Sequence, residues 1–165
     1  AQVERTMKQM GVPEGALEIV NARLSDRNAD YTDYLYDRLQ RRGYLKRDAQ
    51  RLVNQDRNVF GSCMLAHGDA DGMVTGVTRN YDVCLTDVRL SLDPLPDSDV
   101  IGMSMVINRG KTIFIADTSV NELPNGEQLA GIAKEAALAV NRLGFVPRVA
   151  FLSYSTFGNP KCDLS

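Results

Sequence analysis

Residues 70–92 read ADGMVTGVTRNYDVCLTDVRLSL, and the rest of the chain is organised around them. The stretch opens with Gly72-Met73-Val74-Thr75-Gly76-Val77, an apolar run rich in β-formers and too short for a buried helix. That pattern predicts a central strand. Tyr81, Cys84, Leu85, Val88 and Leu92 then fall on one face of a helix. Between the two sits Thr78-Arg79-Asn80, where a strand hands over to a helix. Such a junction leaves backbone N–H groups unpaired and pointing outward, and the helix dipole adds positive potential. Asn80 reads as the N-cap, and Arg79 offers a fork of donors suited to phosphate or carboxylate. The competing reading is that Arg79 simply pairs with a surface carboxylate, and both stand at this point.

Upstream, residues 3–10 have the pattern of a helix stopped by Gly11 and Pro13, followed by a short strand over residues 16–20. Residues 21–30 are polar and loop-like. Tyr31, Tyr34, Leu35 and Leu39 mark a helix ending at Gly43, and Leu45, Ala49, Leu52 and Val53 mark a second. The second helix carries Lys46, Arg47 and Arg51 outward, a solvated basic face. A third helix near residues 59–67 leads through Gly68-Asp69 to the central stretch.

Downstream, Pro94 and Pro96 make a stiff connector. Residues 100–107 and 111–117 are β-rich runs separated by Asn108-Arg109-Gly110, a hairpin signal with a bulged loop of three to five residues. Leu129, Ile132, Ala133, Ala136, Val140 and Leu143 line an amphipathic helix that starts near Asn125 and ends at Gly144 and Pro147. Its Ala-rich face suits close packing on a sheet or on another subunit. Residues 148–155, RVAFLSYS, read as a last buried strand. The order implies a layered α/β domain whose sheet is mixed and mostly parallel.

Ligands in such folds collect at the carboxyl ends of strands. Three ends are rich in small polar residues: Thr78, Arg79 and Asn80; Asp117, Ser119 and Asn121; and Ser153, Ser155 and Thr156. Together they are expected to ring one pocket, although Asx and Ser/Thr are also the commonest turn residues.

Composition excludes several classes. With 19 Lys/Arg against 21 Asp/Glu, the chain is not a general nucleic-acid or membrane surface. Cys63, Cys84 and Cys162 have no metal-like spacing, and three is odd for a disulfide framework, so buried thiols in a cytoplasmic setting are expected. No Gly-x-Gly-x-x-Gly or P-loop motif occurs. The single histidine, His67, precedes Gly68-Asp69-Ala70-Asp71, which suits a helix end better than a metal site. A Ser–His pair would have to join His67 to Ser153 or Ser155, with no local support. Ala1 is not an initiator Met and the chain begins within a helical pattern, so it reads as an excised piece of something longer.

Four separated motifs are decisive: Asp71-Gly72-Met73-Val74-Thr75-Gly76, Phe114-Ile115-Ala116-Asp117, Glu127-Gln128-Leu129-Ala130-Gly131-Ile132-Ala133 and Arg148-Val149-Ala150-Phe151-Leu152-Ser153-Tyr154-Ser155-Thr156. In order and spacing they resemble the phosphate acetyl/butyryl transferase family. The resemblance implies a three-layer αβα fold similar to isocitrate and isopropylmalate dehydrogenases, present here as an incomplete fragment forming part of one domain. It also implies acyl-CoA chemistry between two lobes. Stand-alone members tend to carry a His and paired Ser/Thr where this chain has Val77-Thr78-Arg79-Asn80-Tyr81, and a Lys where it has Phe157. Both departures are similar to the C-terminal transferase-like domain of bacterial NADP-dependent malic enzymes. That domain assembles subunits and binds acetyl-CoA as a regulator. The resemblance therefore implies acetyl-CoA or acetyl phosphate as ligand, no cofactor within this chain, and a homo-oligomer of at least two copies. NADP and a divalent metal would belong to a catalytic region outside the chain. The family's catalytic Ser, Arg and Asp would lie beyond Ser165. The rival readings are an active phosphate acetyltransferase fragment and a structural lobe with a vestigial site.

Overall fold

The computed structural model describes residues 2–152, which divide into two bodies, one before and one after the junction at Asp93 and Pro94. The first body is helical: α1 (Gln2–Gln9), α2 (Asn28–Leu39) with a 3-10 turn (Gln40–Arg42), α3 (Lys46–Gln55), α4 (Arg57–His67) and α5 (Tyr81–Ser91). The periodic apolar residues do what their spacing requires. Tyr31, Leu35 and Leu39 of α2 interlock with Ala49 and Val53 of α3, with Val59, Phe60 and Cys63 of α4, and with Leu90 of α5. Tyr31 meets Phe60 edge to face at 5.2 Å, the geometry favoured by ring quadrupoles. Local chemistry sets the ends. Gly43 and Gly68 take left-handed φ values of 88° and 73° at C-caps, where a side chain would be strained. The Asp56 carboxylate accepts from the N–H groups of Asn58 and Val59, capping α4.

The second body holds the hairpin β1 (Met103–Asn108) and β2 (Lys111–Ala116), followed by α6 (Gly126–Arg142), which packs against β2. The strands are antiparallel, with Met103 opposite Ala116 and Asn108 opposite Lys111. The loop is therefore two residues long rather than a three- to five-residue bulge: Asn108 remains in the ladder while Arg109 (φ 48°) and Gly110 (φ 75°) turn the chain. Two consecutive positive φ values match the right-handed twist of the flanking strands. Helix α6 starts in a reciprocal capping box. The Asn125 side chain accepts from the Gln128 N–H, and the Gln128 side chain accepts from the Asn125 N–H. Ile132 and Val140 are its buried positions, and Ala133, Ala136 and Ala137 are half-buried.

The mostly parallel, dehydrogenase-like sheet is not what the described residues form. Among them the one sheet is the antiparallel hairpin. Residues 16–20, 72–77 and 148–152, expected as strands, lie in no ladder. The remainder of the 148–155 run falls outside the described residues. A β-rich run reports suitability for a pleated, half-buried surface, not the presence of a neighbour. In the 72–77 run the backbone itself departs from a strand: Gly76 has φ 120° and Val77 φ 65°. Val74 and Val77 are left fully exposed.

Candidate functional site

The central junction is built by α4, α5 and the segment between them. Asn80 occupies the N-cap position of α5 with an extended backbone, as expected, but its side chain makes no capping bond. Arg79 turns inward. Its Nη1 donates to Asp56 Oδ2, and to Asp87 Oδ2 at 2.9 Å. All three side chains are largely buried, at 30% exposure for Arg79 and 17% and 16% for the two carboxylates. Asp56, and behind it Asp87, hold the guanidinium pKa above its ordinary value. The carboxylate reading of Arg79 is thus realised inside the chain. The Nε and Nη2 edge has no partner among the described residues. Thr78 Oγ1 accepts from Arg57 Nη2 at 2.9 Å.

Behind this pair lies Asn58, 1% exposed. Its Nδ2 donates to Asp87 Oδ2 at 3.0 Å, and its Oδ1 accepts from Thr75 Oγ1. Sequence reasoning missed this network of Asp56, Asn58, Thr75 and Asp87. One signal was legible, Asp56 directly before a helical pattern, since Asp is a preferred N-cap. Asn58 and Asp87 carry no such signal, because a buried amide and a half-buried carboxylate look like surface residues until the helices pack.

The second polar end sits after β2. Asp117 accepts five hydrogen bonds. Its Oδ1 takes the N–H groups of Gly102 (2.8 Å), Ser119 (3.0 Å) and Val120 (3.1 Å). Its Oδ2 takes the Asn121 N–H at 2.8 Å and Nδ2 at 2.6 Å. Burial pushes this carboxyl up, but the bonds from Ser119, Gly102 and Asn121 pull it down further, to about 2. Asn121 Nδ2 also donates to the Val100 carbonyl at 3.3 Å. Asp117 and Asn121 are therefore committed to the backbone, while Ser119 Oγ lies 3.4 Å from Thr118 Oγ1. A Cβ on Gly102 would come within 2.7 Å of Ser119 Oγ and 2.9 Å of the Ser119 nitrogen, so only glycine fits there.

Thr78, Arg79 and Asn80 belong to the first body and Asp117, Ser119 and Asn121 to the second. Ser153, Ser155, Thr156, Phe157 and Cys162 lie outside the described residues, as does any Ser–His pair. Cys63 and Cys84 are buried free thiols, and burial pushes the Cys63 thiol up. His67 closes α4, with its ring against Tyr31 and Tyr34, each centroid 4.9 Å away, and its Nδ1 2.9 Å from the Cys63 carbonyl. The basic face of α3 is solvated: Lys46 pairs with Asp33 at 2.5 Å, and Arg51 lies 3.7 Å from Asp48. Among the described residues no cluster of three metal-ligating side chains occurs, and no helix is long and apolar enough to cross a membrane.

The order of elements is that of an α/β protein, and comparison with known proteins gives its family. The family model described as phosphate acetyl/butaryl transferase matches residues 1–165, and the chain belongs to that family. It is 55% identical over 168 residues to the NADP-dependent malic enzyme of Rhizobium meliloti (strain 1021), covering 98% of this chain and 22% of that enzyme. It is 28% identical over 156 residues to the phosphate acetyltransferase of Corynebacterium glutamicum, covering 94% of this chain and 47% of that protein. The EutD phosphotransacetylase from Staphylococcus aureus matches with a TM-score of 0.79 at 25% identity, over 98% of this chain and 49% of that one. The chain thus spans about a fifth of the length of the R. meliloti malic enzyme.

Proposed function

We propose that the chain is a regulatory and oligomerising transferase-like domain of an NADP-dependent malic enzyme, responding to acetyl-CoA in a cytoplasmic, homo-oligomeric protein. One observation carries the reading. Identity to the R. meliloti malic enzyme is 55% across nearly the whole chain, against 28% to the C. glutamicum phosphate acetyltransferase. The parent reaction is then oxidative decarboxylation of malate to pyruvate, with NADP and a divalent metal held by a region outside this chain. Within the chain, the ligand is acetyl-CoA or acetyl phosphate. The open Nε and Nη2 edge of Arg79 meets an anionic group, supported by Thr78 and Asn80 at the start of α5. In the second body Asp117 shapes the backbone that presents Ser119, and Ser153, Ser155 and Thr156 are further candidate ligand residues.

A second reading, a piece of an active phosphate acetyltransferase, is favoured by the same family membership. It requires electrostatic stabilisation of an anionic centre, and Phe157 stands where stand-alone transferases tend to have Lys. The full-length polypeptide carrying this chain distinguishes the two. Malate-dependent NADP reduction that changes with added acetyl-CoA, without acetyl phosphate formation from acetyl-CoA and phosphate, is the expected result. Rapid acetyl phosphate formation would establish the transferase reading instead, and a rate indifferent to acetyl-CoA would leave a structural lobe. Arg79→Ala is expected to weaken acetyl-CoA binding by about 1.5–3 kcal/mol, the loss of a charge-assisted hydrogen bond.

A further inference from the structure

In the segment between α4 and α5, Val74 and Val77 face solvent and Met73 lies against Gly61 of α4, while Thr75 and Arg79 bond to Asn58, Asp56 and Asp87. Val77 is held at φ 65°, a region that costs a β-branched residue strain and persists only where the surroundings over-determine it. Besides the Met73 contact, hydrogen bonds tie this segment down.

One of those bonds ends on Asn58, and another ends on Asp87, to which Asn58 itself donates. Asn58 is 1% exposed, and its amide touches the segment through Thr75 and α5 through Asp87. Asp87 Oδ2 is at once the acceptor for Asn58 Nδ2 at 3.0 Å and for Arg79 Nη1 at 2.9 Å. The orientation of the Asn58 amide therefore decides where that oxygen sits, and with it which edge of the Arg79 guanidinium faces outward. Asp56 fixes the same Nη1 from the α4 N-terminus. From this geometry we infer that Asn58 is a positioning residue. It sets the Arg79 guanidinium, through Asp87, for an anionic ligand such as the phosphates of acetyl-CoA. The inference rests on the regulatory reading above, since it presumes that Arg79 meets that ligand.

A polarity swap separates positioning from plain structural support. Asn58→Asp keeps the shape and still accepts from Thr75, but it loses the donor to Asp87 and places two carboxylates side by side. The double variant Asn58→Asp/Asp87→Asn restores a 58–87 hydrogen bond with its polarity reversed, and the overall charge is that of the wild type. In the restored pair, however, an amide N–H₂ occupies the place of the oxygen that received Arg79 Nη1, so the guanidinium is not re-seated. Acetyl-CoA affinity and thermal stability are measured on the full-length polypeptide. Asn58→Asp is expected to lower both the melting temperature and the affinity, the latter by about tenfold or more for a lost charge-assisted contact. The double variant is expected to recover the melting temperature but not the affinity. Affinity that recovers together with stability would overturn the inference and make Asn58 a purely structural bridge. If Asn58→Asp does not fold, Thr75→Val, which removes only the second arm of the amide, is expected to weaken acetyl-CoA binding in a folded protein of lower melting temperature, because the buried Asn58 Oδ1 loses its donor. Wild-type affinity in that variant would equally overturn the inference. Failure of the wild type itself to bind acetyl-CoA would instead sink the regulatory reading on which the inference rests.

Discussion

Asp117→Asn tests whether one carboxylate organises the turn after β2. The aspartate receives three N–H groups on Oδ1 and two on Oδ2. An asparagine of the same shape has one acceptor oxygen, so one set of donors must face an N–H₂ in either orientation of the amide. The milder orientation gives up both Asn121 contacts, at 2.8 and 2.6 Å. Losing charge-assisted bonds of this kind costs about 1.5–3 kcal/mol. The same bonds depress the carboxyl in the wild type. The carboxyl falls from 3.8 to about 2, worth about 2.4 kcal/mol at about 1.4 kcal/mol per unit, which partial exposure trims to about 1–2 kcal/mol. Because the folded value is depressed, this stabilisation is complete above the ordinary carboxyl pKa. It is lost as pH falls through the window from 3.8 toward about 2. Residue-resolved amide exchange at Gly102, Ser119, Val120 and Asn121 reads the effect directly. Protection of Asn121 is expected to drop in Asp117→Asn, and that of all four in the wild type as pH descends through that window. Unchanged protection in the variant would refute the reasoning.

In the helical body, Leu35 is fully buried, so Leu35→Ala is expected to cost about 2–5 kcal/mol, read by chemical denaturation followed through helix content; a loss below about 1 kcal/mol would mean the core collapses around the cavity. Tyr31 donates to Asp69 at 2.5 Å, and burial first, then Asp69, pushes its phenol up to about 12. Its contribution to stability is therefore complete below the ordinary value of 10.0 and lost as pH rises from there toward about 12. Spectrophotometric titration comparing wild type with Tyr31→Phe is expected to remove one late-titrating tyrosine, and an unaltered late phase would contradict the assignment.

The elements that were legible in the sequence are those whose stabilising partners are local. Helices α2 to α6 follow from apolar spacing at 3.6 residues. Their ends follow from Gly43, Gly68, Gly144 and the Asn125 start, whose conformations and hydrogen bonds form within a few residues. The hairpin was legible for the same reason, with only its loop length mistaken. Arg79 was legible as a donor, and the two readings given for it differ only in which carboxylate or phosphate answers it.

What the sequence by itself determined is thus the local part: where helices start and stop, which of their faces are apolar, that Asn108-Arg109-Gly110 reverses the chain, and which family the motifs resemble. Tertiary structure alone decided the rest. It placed Asp87 of α5 and Asn58 of α4 within hydrogen-bond reach of each other, 29 residues apart, and turned Arg79 inward to Asp56 and Asp87. It also left the β-rich runs at 72–77 and 148–152 outside any ladder. The physical reason is common to all three. Helix hydrogen bonds close within four residues, and a periodic pattern reports them. A strand, a buried amide or an ion pair is completed by a partner distant in the chain, whose position depends on how the intervening helices pack.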